Sequence, residues 1–158
     1  MNPLNSPLEV GMRALVLLAE SFPDPLDLAQ LVYLDHAVLH SSDLAGPPSL
    51  HPRLPAGPGE LAMRRALIEQ GLVVLLRAGL AEVQATEHGL VYRATEEGPG
   101  FVEILESPYI GALRDRAQWI IRDHGVPALG SRAATRSITN RWADEFRNSL
   151  PPTGSDHE

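Results

Sequence analysis

The apolar residues of this chain recur every three or four positions as far as Ala78, and after Gly79 they switch to alternation. A helical period cannot settle into a sheet, nor an alternating one into a surface helix, so the switch divides the chain into a helical first half and a short β unit. Three helical segments precede it. Ser6-Pro7-Leu8-Glu9 has the form of a capping box with proline at the first helical position, and Val10, Leu15, Leu17 and Leu18 carry that helix to about Ser21. Pro23 and Pro25 stop it, and Asp24 or Asp27 is placed to cap a second helix over about Leu26 to His40, with Leu28, Leu31, Val32, Val38 and Leu39 at helical spacing. The third runs from about Glu60 to Ala78 through Met63, Leu67, Ile68, Leu72, Leu75 and Leu76, with Gly79 as its stop.

Ala81 to Thr86 and Leu90 to Thr95 then read as two strands joined through Glu87-His88-Gly89, with Gly89 supplying a positive φ. Three helices followed by a two-stranded hairpin is the element order of a winged helix. Glu97-Gly98-Pro99-Gly100 punctuates the chain, and Phe101 to Asp123 reads as a helix broken or kinked at Pro108 that covers the domain or builds a dimer interface. The expected fold is therefore mainly α with a small β-hairpin. A winged-helix core spans 1–97 and includes a proline-rich loop at 41–59; helices at 98–125 pack on it; a tail at 126–158 carries an amphipathic helix at 131–148 and a disordered end.

Composition removes several function classes. The absence of cysteine excludes disulfides, thiolate catalysis and cysteine zinc sites, and the absence of lysine excludes a Walker-type phosphate loop and a Schiff base. A net charge of −7 argues against indiscriminate coating of nucleic acid. The N-terminus lacks the basic start and apolar centre of a signal peptide, and no 18-residue apolar run is present, so the expected location is cytoplasmic. Charge is also uneven: residues 126–148 carry Arg132, Arg136, Arg141 and Arg147 against Asp144 and Glu145, whereas 1–59 is acidic.

The strongest enzymatic candidate is a metal site built by His36 and His40, four apart on one helix, with Asp43 and His51 nearby. No glutamate follows the first histidine as a metalloprotease motif requires, and no G-x-S-x-G elbow exists, so we assign no catalytic, cofactor-binding or metal-binding residue. More informative are two charges on apolar helical faces. Asp35 lies near the centre of the arc formed by Leu28, Leu31, Val32, Val38 and Leu39, and Arg64 near the centre of that formed by Met63, Leu67, Ile68, Val74 and Leu75. Burying either charge alone is very costly, so the two are expected to meet as a structural pair between the second and third helices.

As a DNA reader the chain is poorly equipped. The polar arc of the third helix is Ala62, Ala66, Glu69, Gln70, Val73 and Arg77, and the hairpin region sets Glu82, Glu87, Glu96 and Glu97 against Arg93 alone. The tail instead offers Ile138, Trp142 and Phe146 at four-residue intervals, a stripe suited either to a partner's groove or to its own domain. The loop between the second and third helices, HSSDLAGPPSLHPRLPAGPGE, is proline-rich and so stiff. With Leu50 and Leu54 pinned to the body and His51 as loop packing, it forms a candidate docking surface, and the expected partner-binding residues are Leu50, His51, Leu54, Ile138, Trp142 and Phe146.

The ordered set of phrases SPLEVGMRALVLLAESFPDPLDLAQLVYLDHAVLHSSD, GPPSLHPRLP, GELAMRRALIEQGL, YRATEEG and LESPYIGALRDRAQWI resembles the middle component of bacterial ABC-three-component systems, which include Lamassu-type anti-phage defence. The resemblance covers about residues 6 to 122 and leaves 126–158 outside. It implies a small winged-helix adaptor without catalytic residues, accompanying an SMC- or Rad50-like ATPase and an effector, often a nuclease, with DNA contacted through the complex. The alternative is a winged-helix transcriptional regulator that binds DNA as a homodimer through Phe101 to Asp123.

Overall fold

In a computed structural model, which describes residues 6–51, 60–87, 89–105 and 107–127, helix α1 spans Pro7–Ser21. Ser6 Oγ accepts the Glu9 amide at 3.2 Å, and Pro7 occupies the first turn, where its missing donor costs nothing. Strand β1 is Leu26–Asp27, and Asp27 also starts helix α2, Leu28–Leu39. A full capping box closes that start: Gln30 N donates to Asp27 Oδ1 at 2.7 Å and Asp27 N to Gln30 Oε1 at 2.9 Å. A 3-10 turn, Ser41–Leu44, follows, then helix α3, Glu60–Arg77. Gly79, at φ 72°, ends α3, and strands β2, Ala81–Thr86, and β3, Gly89–Ala94, form a hairpin.

The sheet has three strands, in the order β1-β3-β2, all antiparallel. Sequence reasoning expected only the hairpin. The two-residue β1, with Leu26 opposite Tyr92 and Asp27 opposite Val91, is too short to leave a periodic signal. Chain order is thus helix, strand, helix, helix, strand, strand, followed by helices α4, Glu97–Glu103, and α5, Pro108–Gln118, and a π-helical turn, Trp119–His124.

The last helices differ from the expected Phe101–Asp123. Gly98-Pro99-Gly100 does not interrupt the chain but lies within the first turn of α4, where proline loses no intrahelical hydrogen bond. Gly98 is tightly enclosed: a Cβ there would lie 3.0 Å from the Ala94 Cβ and 3.1 Å from the Leu80 carbonyl. The break near Pro108 is real, since α5 starts at that residue.

Helix α1 is the centre of the core. Val10, Ala14, Leu15, Leu17 and Leu18 are buried against Leu31, Leu34 and Leu39 of α2 and Ile68, Leu72 and Leu75 of α3, and each fully buried Val, Leu or Ile contributes about 1.5–3 kcal/mol. Helices α1 and α3 cross where Gly11 faces Gly71, so closely that a Cβ on Gly71 would lie 2.7 Å from the Gly11 nitrogen. Val102, Ile110, Leu113, Ala117 and Ile120 join the same core. Most of the apolar side of the region proposed for dimerisation thereby packs within the chain, while Ile104 stays 72% exposed. Arg122 Nε reaches Glu20 Oε1 at 2.6 Å and Gln30 Nε2 donates to the Pro127 carbonyl at 2.7 Å, which seats the end of the described chain beside the starts of β1 and α2.

Candidate docking site over a buried arginine and aspartate cluster

Asp35 of α2 is 1% exposed, and two arginines from two other helices converge on it. Arg13 of α1, itself 2% exposed, donates from Nε to Asp35 Oδ1 at 2.8 Å and from Nη2 to Oδ2 at 3.4 Å. Arg64 of α3 donates from Nη1 to Oδ2 at 3.1 Å. Burial opposes ionisation of Asp35, but Arg13 and then Arg64 outweigh it and hold the carboxyl below the ordinary aspartate range. Burial likewise works against the Arg13 charge, and Asp35 overcomes it, so Arg13 stays cationic.

Sequence reasoning brought Asp35 and Arg64 together but overlooked Arg13. The signal was present: Arg13 is three residues after Val10 and four before Leu17, on the buried side of α1, the same wheel position that singled out the other two charges. It also overlooked Tyr109 of α5. The Tyr109 hydroxyl lies 2.9 Å from His51 Nε2 and faces the Arg13 charge. Burial and the facing Arg13 push the His51 pKa down, which favours neutral imidazole with Nε2 accepting from the hydroxyl. His40 is pushed down to about 4, first by burial and then by Arg64, so it too is neutral near pH ~7. Its ring lies 4.8 Å from that of His36, centroid to centroid. Among the described residues, no group of three or more His, Asp or Glu side chains is arranged to hold a metal ion.

The first part of the proline-rich loop is fixed on this cluster. Leu50 N and His51 N both donate to the Leu39 carbonyl, at 3.0 and 3.1 Å, satisfying an acceptor that the end of α2 leaves open. Ser41 Oγ donates to the Pro47 carbonyl at 2.8 Å, Ser42 and Ser49 pair across the loop, and Arg116 Nη2 donates to the Pro48 carbonyl at 2.8 Å. Gly46 sits against the Trp119 ring with no room for a side chain. Leu44 and Leu50 pack on the core, and the solvent-facing part comprises Ser42, Ala45 and Pro48. Leu54 lies outside the described residues, as do Ile138, Trp142 and Phe146.

On the hairpin, Arg93 is already paired with Glu82, while Glu87, Glu96 and Glu97 are exposed. The outward side of α3 carries Ala62, Met63, Arg65, Ala66, Glu69, Gln70, Val73 and Arg77. Among the described residues, no helix is long and apolar enough to cross a membrane.

Neither the curated proteins nor the solved structures contain a significant match to this chain. A family model does match, over residues 3–144: ABC-three component (ABC-3C) system Middle Component 2. That span takes in Ile138 and Trp142, which the resemblance in the sequence had left outside. The chain therefore belongs to the Middle Component 2 family of ABC-three-component systems.

Proposed function

We propose that this chain is a non-catalytic adaptor of a Lamassu-type anti-phage defence complex, acting in the cytoplasm. It docks onto an SMC- or Rad50-like ATPase and links that ATPase to an effector nuclease. Membership of the middle-component family carries the reading. Supporting it, the side chains that would do chemistry are engaged in packing: Asp35 answers Arg13 and Arg64, and His51 answers Tyr109.

We further propose that residues 6–97 form a winged helix used for protein docking. The chain order helix, strand, helix, helix, strand, strand with sheet order β1-β3-β2 supports that assignment. In such a fold α3 would be the helix that enters a major groove and the hairpin would be the wing. Two features weigh against DNA reading: the outer side of α3 offers only Arg65 and Arg77, set beside Glu69 and among Ala62, Ala66 and Val73, and the Arg93 guanidinium is taken by Glu82 in an acidic wing. DNA is reached through the ATPase. The proline-rich loop, through Leu50, His51 and Leu54, and the tail residues Ile138, Trp142 and Phe146 are the proposed partner contacts.

Co-expression of the tagged chain with its neighbouring genes, followed by affinity purification, tests the adaptor reading. The ATPase is expected in the eluate, and the purified chain alone is expected to shift duplex DNA weakly. A stable homodimer that shifts duplex DNA in a strongly salt-dependent manner, with no ATPase recovered, would overturn it.

A further inference from the structure

Strand β2 is an open edge. The sheet order places β3 between β1 and β2, and among the described residues nothing pairs with the other side of β2. The register fixes which backbone groups are left over. Thr86 pairs with Gly89 across a two-residue connection, and such a pair must exchange both of its hydrogen bonds. Alternation then directs the backbone groups of Glu82, Gln84 and Thr86 at β3 and those of Ala81, Val83 and Ala85 outward. Proteins usually blunt such edges with proline, lysine or a bulge, and β2, AEVQAT, carries none of these.

Because side chains alternate, the two faces of this edge ask for different things. Ala81, Val83 and Ala85 share one face, on which Leu90 of β3 lies opposite Ala85; Val83 and Leu90 are 44% and 54% exposed. The other face carries Glu82, Gln84 and Thr86, with Glu87 in the turn. Glu82 and Arg93 also line a groove with Phe22, Pro23, Glu96 and Glu97. Arg93 is occupied by Glu82, and Glu96 and Glu97 have no ionic partner among the described residues.

We infer that the β2 edge accepts an extended segment of another subunit, added as a fourth strand, with apolar and basic residues in alternation. Its apolar positions cover Val83 and Ala85 next to Leu90, its basic positions meet Glu87 and the groove carboxylates Glu96 and Glu97, and its backbone pairs with Val83 and Ala85. The same carboxylates disfavour a second copy of this chain, which would bring like charges together. One short edge also falls well below the roughly 1,200 Å² of a stable dimer. The inference rests on the adaptor reading for the source of the segment, not for its chemistry.

Amide hydrogen exchange on the full chain, alone and with a synthetic peptide of alternating valine and arginine, provides the test. In the free chain the Val83 and Ala85 amides should exchange fast and those of Glu82, Gln84 and Thr86 slowly. The peptide should protect Val83 and Ala85, and added salt should reverse the protection. A valine and glutamate peptide should not protect them. Val83→Pro removes an outward donor while sparing the β2–β3 ladder, and should weaken binding about tenfold. Equal protection by the glutamate peptide, or none by either, overturns the inference. So does protection of Val83 and Ala85 in the free chain, which would mean that the tail or a second copy already covers the edge. In the co-purified complex, partners recovered without protection at Val83 and Ala85 would overturn the inference and leave the adaptor reading standing. Loss of all partners would sink the adaptor reading alone, with the peptide experiment deciding the edge.

Discussion

Arg13 and Asp35 are both at most 2% exposed and meet at 2.8 Å, with Arg64 on the second carboxylate oxygen, so one buried anion serves two cations from two other helices. Removing the anion is then far worse than removing a cation. Asp35→Asn leaves two guanidiniums facing each other with little compensation, and should cost about 3–5 kcal/mol. Arg64→Met keeps the Arg13–Asp35 pair one to one, substitutes an apolar stem at a site partly open to water, and should cost about 1 kcal/mol. Thermal melts should place Asp35→Asn at least about 10 °C below the unaltered chain and Arg64→Met within a few degrees of it. Equal losses would mean that the two arginines do not share the aspartate.

The same cluster predicts how stability depends on pH. His40 titrates at about 4 in the folded chain against an ordinary 6.5, so between those values the unfolded chain binds the extra proton. Stability must then fall as the pH drops through that window, by on the order of 3 kcal/mol for this group. His51 shifts in the same direction. Asp35, whose folded pKa is depressed, contributes stability above the usual aspartate range that is lost only in stronger acid, as pH falls through its folded value. Denaturant midpoints measured from neutral pH down to pH ~4 should decline, and His40→Gln should flatten the decline. A flat profile for the unaltered chain would contradict a buried neutral His40.

Two glycines in helices should respond oppositely to the same change. Gly71→Ala drives a Cβ to 2.7 Å from the Gly11 nitrogen, where only backbone is available to give way. Overpacking of about 1–3 kcal/mol should exceed the roughly 1 kcal/mol that alanine gains in helix propensity. At Gly111, inside α5, a Cβ meets nothing within 4 Å, and Gly111→Ala should stabilise by about 0.5–1 kcal/mol. Urea titrations of the two variants should move to opposite sides of the unaltered midpoint.

The features legible in the sequence are those set by local chemistry. Ser6 with Pro7, Asp27 with Gln30, and Gly79 and Gly89 at φ 72° and 102° mark element ends that a single strand of text can carry. Asp35 and Arg64 stood out because a charge on an apolar arc must be answered somewhere. What was missed depends on partners remote in the chain. The pairing of β1 has only Leu26 and Asp27 to announce it, and its reality lies in Tyr92 and Val91. Gly98-Pro99-Gly100 has the composition of a break, yet lies in the first turn of α4, where proline costs no hydrogen bond and Gly98 fits tightly against Leu80 and Ala94. Tyr109 looked like any helical aromatic until His51, 58 residues earlier in the chain, came within 2.9 Å of its hydroxyl.

The loop over α5 gives the last prediction. Gly46 lies where any Cβ would overlap the benzene ring of Trp119, and Ala45 just before it is left-handed at φ 58°, so the backbone there has little freedom to retreat. The Trp119 ring also meets His124, at 5.4 Å between centroids in an edge-on arrangement. Gly46→Ala should therefore lift the loop or turn the indole outward, not merely strain the contact. In a Trp142→Phe background, where Trp119 is the sole tryptophan, its emission should shift to the red and its quenching by iodide should rise. The core should hardly register the change, since the Leu50 and His51 amides still hold the loop to the Leu39 carbonyl beyond Gly46. If partners bind through this loop, Gly46→Ala in the chain that keeps Trp142 should lower recovery of the co-expressed ATPase while the melting temperature stays within a few degrees. Loss of recovery only alongside a collapse in melting temperature would assign the loop a structural role and remove it from the docking surface.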